Sequence, residues 1–96
     1  MERPSSTLAN LEQLLRQIMD RHKDAMMRMS FIQLQNKTWA EIAVANIFMV
    51  VYKRLPQYPG ISDENAWICK IAVEEWRRLG RRKALGLKPL IRTQRR

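Results

Sequence analysis

The sequence predicts an all-α fold, a domain of three helices with a basic C-terminal arm, and three observations carry that expectation. Turn residues are scarce: the 96 residues include three Gly and four Pro, with long stretches free of both. A many-stranded β architecture needs turn signals roughly every 8–12 residues. Apolar residues recur at the three-and-four spacing of helix faces. Charge is divided rather than mixed. Residues 77–96 hold nine Lys or Arg and no acid, while residues 1–76 hold the other nine cations and all nine acids. The body is therefore neutral, and the end of the chain accounts for the net charge of +9. An apolar fraction of 46% suits a globular chain and is too high for a wholly disordered one.

The first helix is expected over about 7–32, capped by Ser5, Ser6 or Thr7. Leu8, Leu11, Leu15, Ile18, Ala25, Met29 and Ile32 make a heptad stripe, with His22 in the vacant slot. Leu14, Met19 and Met26 widen it. The opposite side alternates Glu12, Asp20 and Asp24 with Arg16, Arg21, Lys23 and Arg28, the pattern of a solvated face with local ion pairs. Met26, Met27 and Met29 read as adaptable packing residues.

Gln33 to Lys37 break the pattern. Thr38-Trp39-Ala40-Glu41 then reads as a capping box, opening a helix over about 38–55 that Pro56 stops. Its centre, Ile42 to Tyr52, is apolar on every side except at Asn46. The β-branched run at its end leaves a strand as the alternative there. A helix apolar all round must be covered all round, and two partner helices cover it poorly. A homodimer through the first two helices covers it better. Asn46 would then either pair across the two-fold or sit as a surface amide near an edge.

Pro56-Gln57-Tyr58-Pro59-Gly60 marks a turn. Ser62 is expected to cap a third helix over about 62–79, with Asp63 and Glu64 in its first turn, where the helix dipole favours acids. Ile68, Ile71, Ala72, Trp76 and Leu79 form its inner face, and Gly80 is the natural stop, with an extension by a turn over Arg81 to Leu85 as the alternative before Gly86 and Pro89 end any helix. Residues 1–80 thus form the helical domain and 81–96 the arm. The arm's Leu85, Leu87, Leu90 and Ile91 lack a firm period, so it is expected to be mobile until a partner orders it.

Function is expected to lie with the cations. Lys70, Arg77, Arg78, Arg81, Arg82, Lys83, Lys88, Arg92, Arg95 and Arg96 form the candidate nucleic-acid-binding set, since guanidinium groups pair bidentately with phosphate and their clustering releases counterions. Trp67 and Trp76 fall at core spacing rather than as base-stacking platforms. Phosphate contact predicts weak sequence specificity, with double-stranded RNA or DNA favoured because no aromatic-rich single-strand surface stands out. A protein-interaction adaptor is the alternative, with the arm as a nuclear-import or peripheral membrane-binding segment.

Enzymatic chemistry has little to stand on. His22 and Cys69 are the single His and Cys, and each falls on a helix face that packing explains. They are too few for a zinc site, no Gly-rich phosphate loop occurs, and no cofactor is implied. A helix-turn-helix lacks its turn, and RNA-recognition sheets and zinc fingers are excluded by helical pattern and cysteine count. One cysteine rules out an internal disulfide framework. The longest apolar run is too short to span a bilayer, and no signal peptide is evident, so a cytoplasmic or nuclear location is expected.

Overall fold

The structure is a computed structural model that describes the backbone of residues 4–92 and the side chains of residues 9–92. It is all-helical: α1 (Pro4–Leu34), α2 (Lys37–Lys53), a 3₁₀ segment (Leu55–Gly60) and α3 (Glu64–Ala84). No strand occurs among the described residues. The run Ile47 to Tyr52 is helical; packing overrides its β-branched preference.

α1 starts three residues early, on Pro4. Proline's fixed φ and missing N–H suit a first helical turn, so Ser5, Ser6 and Thr7 lie inside the helix rather than capping it. The stripe also drifts. Beyond Ile18 the buried positions are Met26, Ser30 and Leu34, while Met29 and Ile32 are exposed. A straight helix rotates a strict heptad line off the core by about 20° per repeat, so the two outermost stripe residues swing into solvent.

The α1–α2 link is only Gln35 and Asn36. Gln35 takes φ 57°, and the Asn36 side chain accepts a hydrogen bond from the Trp39 amide at 3.0 Å. Asn36, not Thr38, is therefore the N-cap. At α3 the cap is Asp63, accepting from the Ala66 amide at 3.1 Å, one residue later than Ser62. α3 also runs through Gly80 to Ala84. It ends on Gly86 at φ 75°, where Leu87 N donates to Arg82 O (2.9 Å) and Gly86 N to Lys83 O (3.0 Å). That is a Schellman motif, and Arg81, Arg82 and Lys83 stand in the last turn, where the dipole favours cations.

Arg21 reaches Glu64, and Trp76 Nε1 donates to Ser30 Oγ at 2.8 Å. α1 and α3 thus run the same way, and α2 runs against both. Ile18, Ile47, Val51, Leu55, Ile68, Ile71 and Leu79 are fully or nearly fully buried, each such side chain contributing about 1.5–3 kcal/mol of transfer free energy. α2 lies between the other two and is still incompletely covered. Val44, Met49 and Tyr52 remain half-buried and Ala45 exposed.

Candidate nucleic-acid interface

α3 has two sides of opposite use. Ile68, Ile71, Ala72, Trp76 and Leu79 face the core. Lys70, Arg77 and Arg81, seven and four residues apart, share the outer face and are exposed. At 1.5 Å per residue they span about 16 Å. Glu74 interrupts this row, 3.9 Å from Arg54 of α2's end. Lys83 and Lys88 are exposed around the turn that ends α3. Arg95 and Arg96 lie outside the described residues.

The remaining three candidates are committed elsewhere. Glu75, on the inner side of α3, is 2% exposed. Arg78 pairs with one of its oxygens and Arg92 Nε donates to the other at 2.8 Å. Asn46 Nδ2 donates to Glu75 Oε2 at 2.8 Å. Burial alone would raise the Glu75 carboxyl, but the bonds from Arg78, Arg92 and Asn46 outweigh it and hold the group below the ordinary carboxylate range. Arg82 Nε donates to Lys88 O at 3.0 Å, fastening the returning chain to α3.

Asn46 is wholly buried within one chain. It is neither a surface amide nor free to pair across a two-fold. Besides Glu75, its Nδ2 donates to Leu90 O at 3.0 Å, and its Oδ1 accepts from the Arg92 amide at 2.7 Å. The described part of the arm is thus laid back on the bundle, where the sequence suggested free motion. A main chain captured by a buried amide has no periodic signature, which is why spacing could not reveal it.

A second carboxylate organises the other end of α3. Arg21 grips Glu64 with two bonds, Nε to Oε2 at 2.9 Å and Nη2 to Oε1 at 2.8 Å. His22 Nε2 lies 2.6 Å from Oε2, and Tyr58 OH donates to Oε1 at 2.5 Å. The Arg21 guanidinium, then Tyr58 and His22, pull the Glu64 carboxyl down to about 2 against the cost of burial. His22 is accordingly a packed histidine hydrogen-bonded to Glu64. Trp67 stacks edge-on to Tyr58, centroids 5.9 Å apart.

Among the described residues no group of His, Cys, Asp or Glu is arranged to hold a metal, and no helix is long and apolar enough to cross a membrane. No family model, curated protein or solved structure matches the chain.

Proposed function

We propose that the protein binds nucleic acid through phosphate contacts, with weak sequence specificity and a preference for duplexes. The observation that carries this is the exposed cationic surface of Lys70, Arg77, Arg81, Lys83 and Lys88, opposed locally by Glu74 alone among the acids of α3's outer face. Cations spread along a rigid helix suit a phosphate backbone better than a base edge, because they position without reading sequence. The function is binding, without a catalytic step or cofactor.

Titration of a labelled duplex at several salt concentrations tests it. Five neutralised phosphates give a log–log slope of about −4.5. Replacing Lys70, Arg77 and Arg81 by Gln flattens the slope by about 2.7. A flat slope in the wild type overturns the proposal.

A homodimer through α1 and α2 belongs to the same proposal. Two apolar hollows of about 540 and 560 Å³ lie along the α1–α2 face. Phe31 and Ile32, 48% and 63% exposed, stand at one end, and Met19, Phe48 and Met49 line the other. A partner copy would cover the surface of α2 that its own chain leaves half-buried, and would double the cationic faces. Sedimentation at micromolar concentration should give twice 11.4 kDa, and Met49→Glu should halve it. A wild-type monomer removes the dimer.

A further inference from the structure

Residues 87–92 are held on the bundle by polar contacts rather than by apolar burial. Leu87, Leu90 and Ile91 leave 46%, 51% and 54% of their surface exposed, so the segment gains little from the hydrophobic effect. Arg82 holds its start at Lys88 O and Arg78 reaches Leu90 O at 3.4 Å, and the rest of its attachment converges on two buried side chains. Asn46 grips the main chain on both sides of Ile91, accepting from Arg92 N and donating to Leu90 O. Glu75 grips the side chain of Arg92. Segments with few buried apolar contacts open at low cost.

The clasp does not satisfy every group in it. Arg78 Nε is buried with no hydrogen-bond partner, an unmet donor that carries a cost. One carboxylate faces two guanidinium groups, Arg78 and Arg92. Beside it a hollow of about 200 Å³ is bordered by Lys53, Arg54, Glu74 and Arg92, so cations outnumber acids around the clasp. Carboxylate and phosphate are alternative acceptors for the same guanidinium fork.

We propose that residues 87–92 are an autoinhibitory strap: Glu75, oriented by Asn46, withholds Arg78 and Arg92 in the free chain, and a polyanionic backbone takes both arginines from it and releases the strap. This rests on the nucleic-acid function proposed above and adds its regulation. In the free protein the available surface is the outer row of α3. Contact there brings phosphates beside Arg78, one residue from Arg77. Exchange of Glu75 for phosphate frees Arg92, and the Asn46 grip on Arg92 N then has no partner holding the side chain in place.

The test compares full-length wild type, Glu75→Gln and Asp24→Asn. Asp24→Asn removes the same charge from an exposed position on α1, away from both the clasp and the outer row of α3. Duplex affinity and the exchange rate of the Arg92 amide are measured for each. Glu75→Gln should bind duplex roughly tenfold more tightly with the same salt slope as wild type, because Arg78 and Arg92 reach phosphate in both complexes, and Asp24→Asn should bind within about threefold of wild type. Equal gains in the two variants, or none in Glu75→Gln, overturn the strap while leaving nucleic-acid binding intact. Failure of all three to bind duplex overturns the function beneath it instead. Wild-type protein alone gives a test independent of variant folding. The Arg92 amide should be protected when free and at least tenfold less so at saturating duplex; unchanged protection in the complex overturns the proposal.

Discussion

Glu64 and Glu75 sit eleven residues apart on α3, each gathers three side chains, and they do different work. Glu64 draws its partners from α1 and the 3₁₀ segment, elements that the apolar core already fixes. Its bonds weld a rigid junction, and the forked Arg21 pairing is the strong geometry for such a weld. Glu75 draws one partner from α2, one from its own helix and one, Arg92, from a segment the core does not hold. Its bonds decide whether that segment is attached. The same chemistry is structural where packing supports the partner and conditional where it does not.

The largest expected difference is in global stability. Glu64→Gln removes the charge at a junction of four hydrogen bonds and should cost about 2–3 kcal/mol. That lowers Tm by roughly 10 °C or more for a chain of this size. Chemical unfolding followed by far-ultraviolet circular dichroism measures it, and a cost below that of Glu75→Gln breaks the contrast. Acid gives the next effect. Glu64's carboxyl sits at about 2 against an ordinary 4.5, so its contribution is complete above pH 4.5 and is lost as pH falls toward 2. The stability gap between wild type and Glu64→Gln should therefore narrow over that window. Glu75 is shifted in the same direction, so acid should also release the Arg92 amide, read by exchange at stepped pH.

Smaller effects sharpen the comparison. Glu75→Gln should cost only about 1 kcal/mol globally, because Arg78 and Arg92 are half-exposed and regain water when the strap opens. Tyr58→Phe should cost a similar amount, about 1 kcal/mol, removing one bond from the weld. Arg92→Ala should change global stability by less than about 0.5 kcal/mol yet free the strap. A loss of several kcal/mol in that variant would place residue 92 in the cooperative core.

Much of the fold was legible in the sequence because burial imposes period. The three helices, their order, the Trp76 face of α3 and the break before α2 all follow from apolar spacing and turn residues. Caps moved by one or two residues, since Asn36 and Asp63 compete with neighbouring Thr38 and Ser62 and only backbone geometry decides between them. The exposed row Lys70, Arg77 and Arg81 was visible as charge. The clasp was not, because charge counting treats every arginine as free. A signal for it did exist. Glu75 falls among Ile68, Ile71, Ala72, Trp76 and Leu79, and Asn46 is the one polar residue in an otherwise apolar helix centre. Two polar groups on facing apolar surfaces must satisfy each other. What could not be read was that Arg92, seventeen residues beyond Glu75, would complete the pair.

The contrast between weld and clasp is tested most directly by native-state hydrogen exchange of the Arg92 and Val51 amides in Glu64→Gln and Glu75→Gln. Val51 is wholly buried in the hydrophobic core and reports global opening. Glu75→Gln should release Arg92 at least tenfold while Val51 slows or quickens by no more than its modest global cost allows, and Glu64→Gln should speed Val51 the more of the two. Joint release of both amides by Glu75→Gln, in proportion to its loss of global stability, would contradict the account.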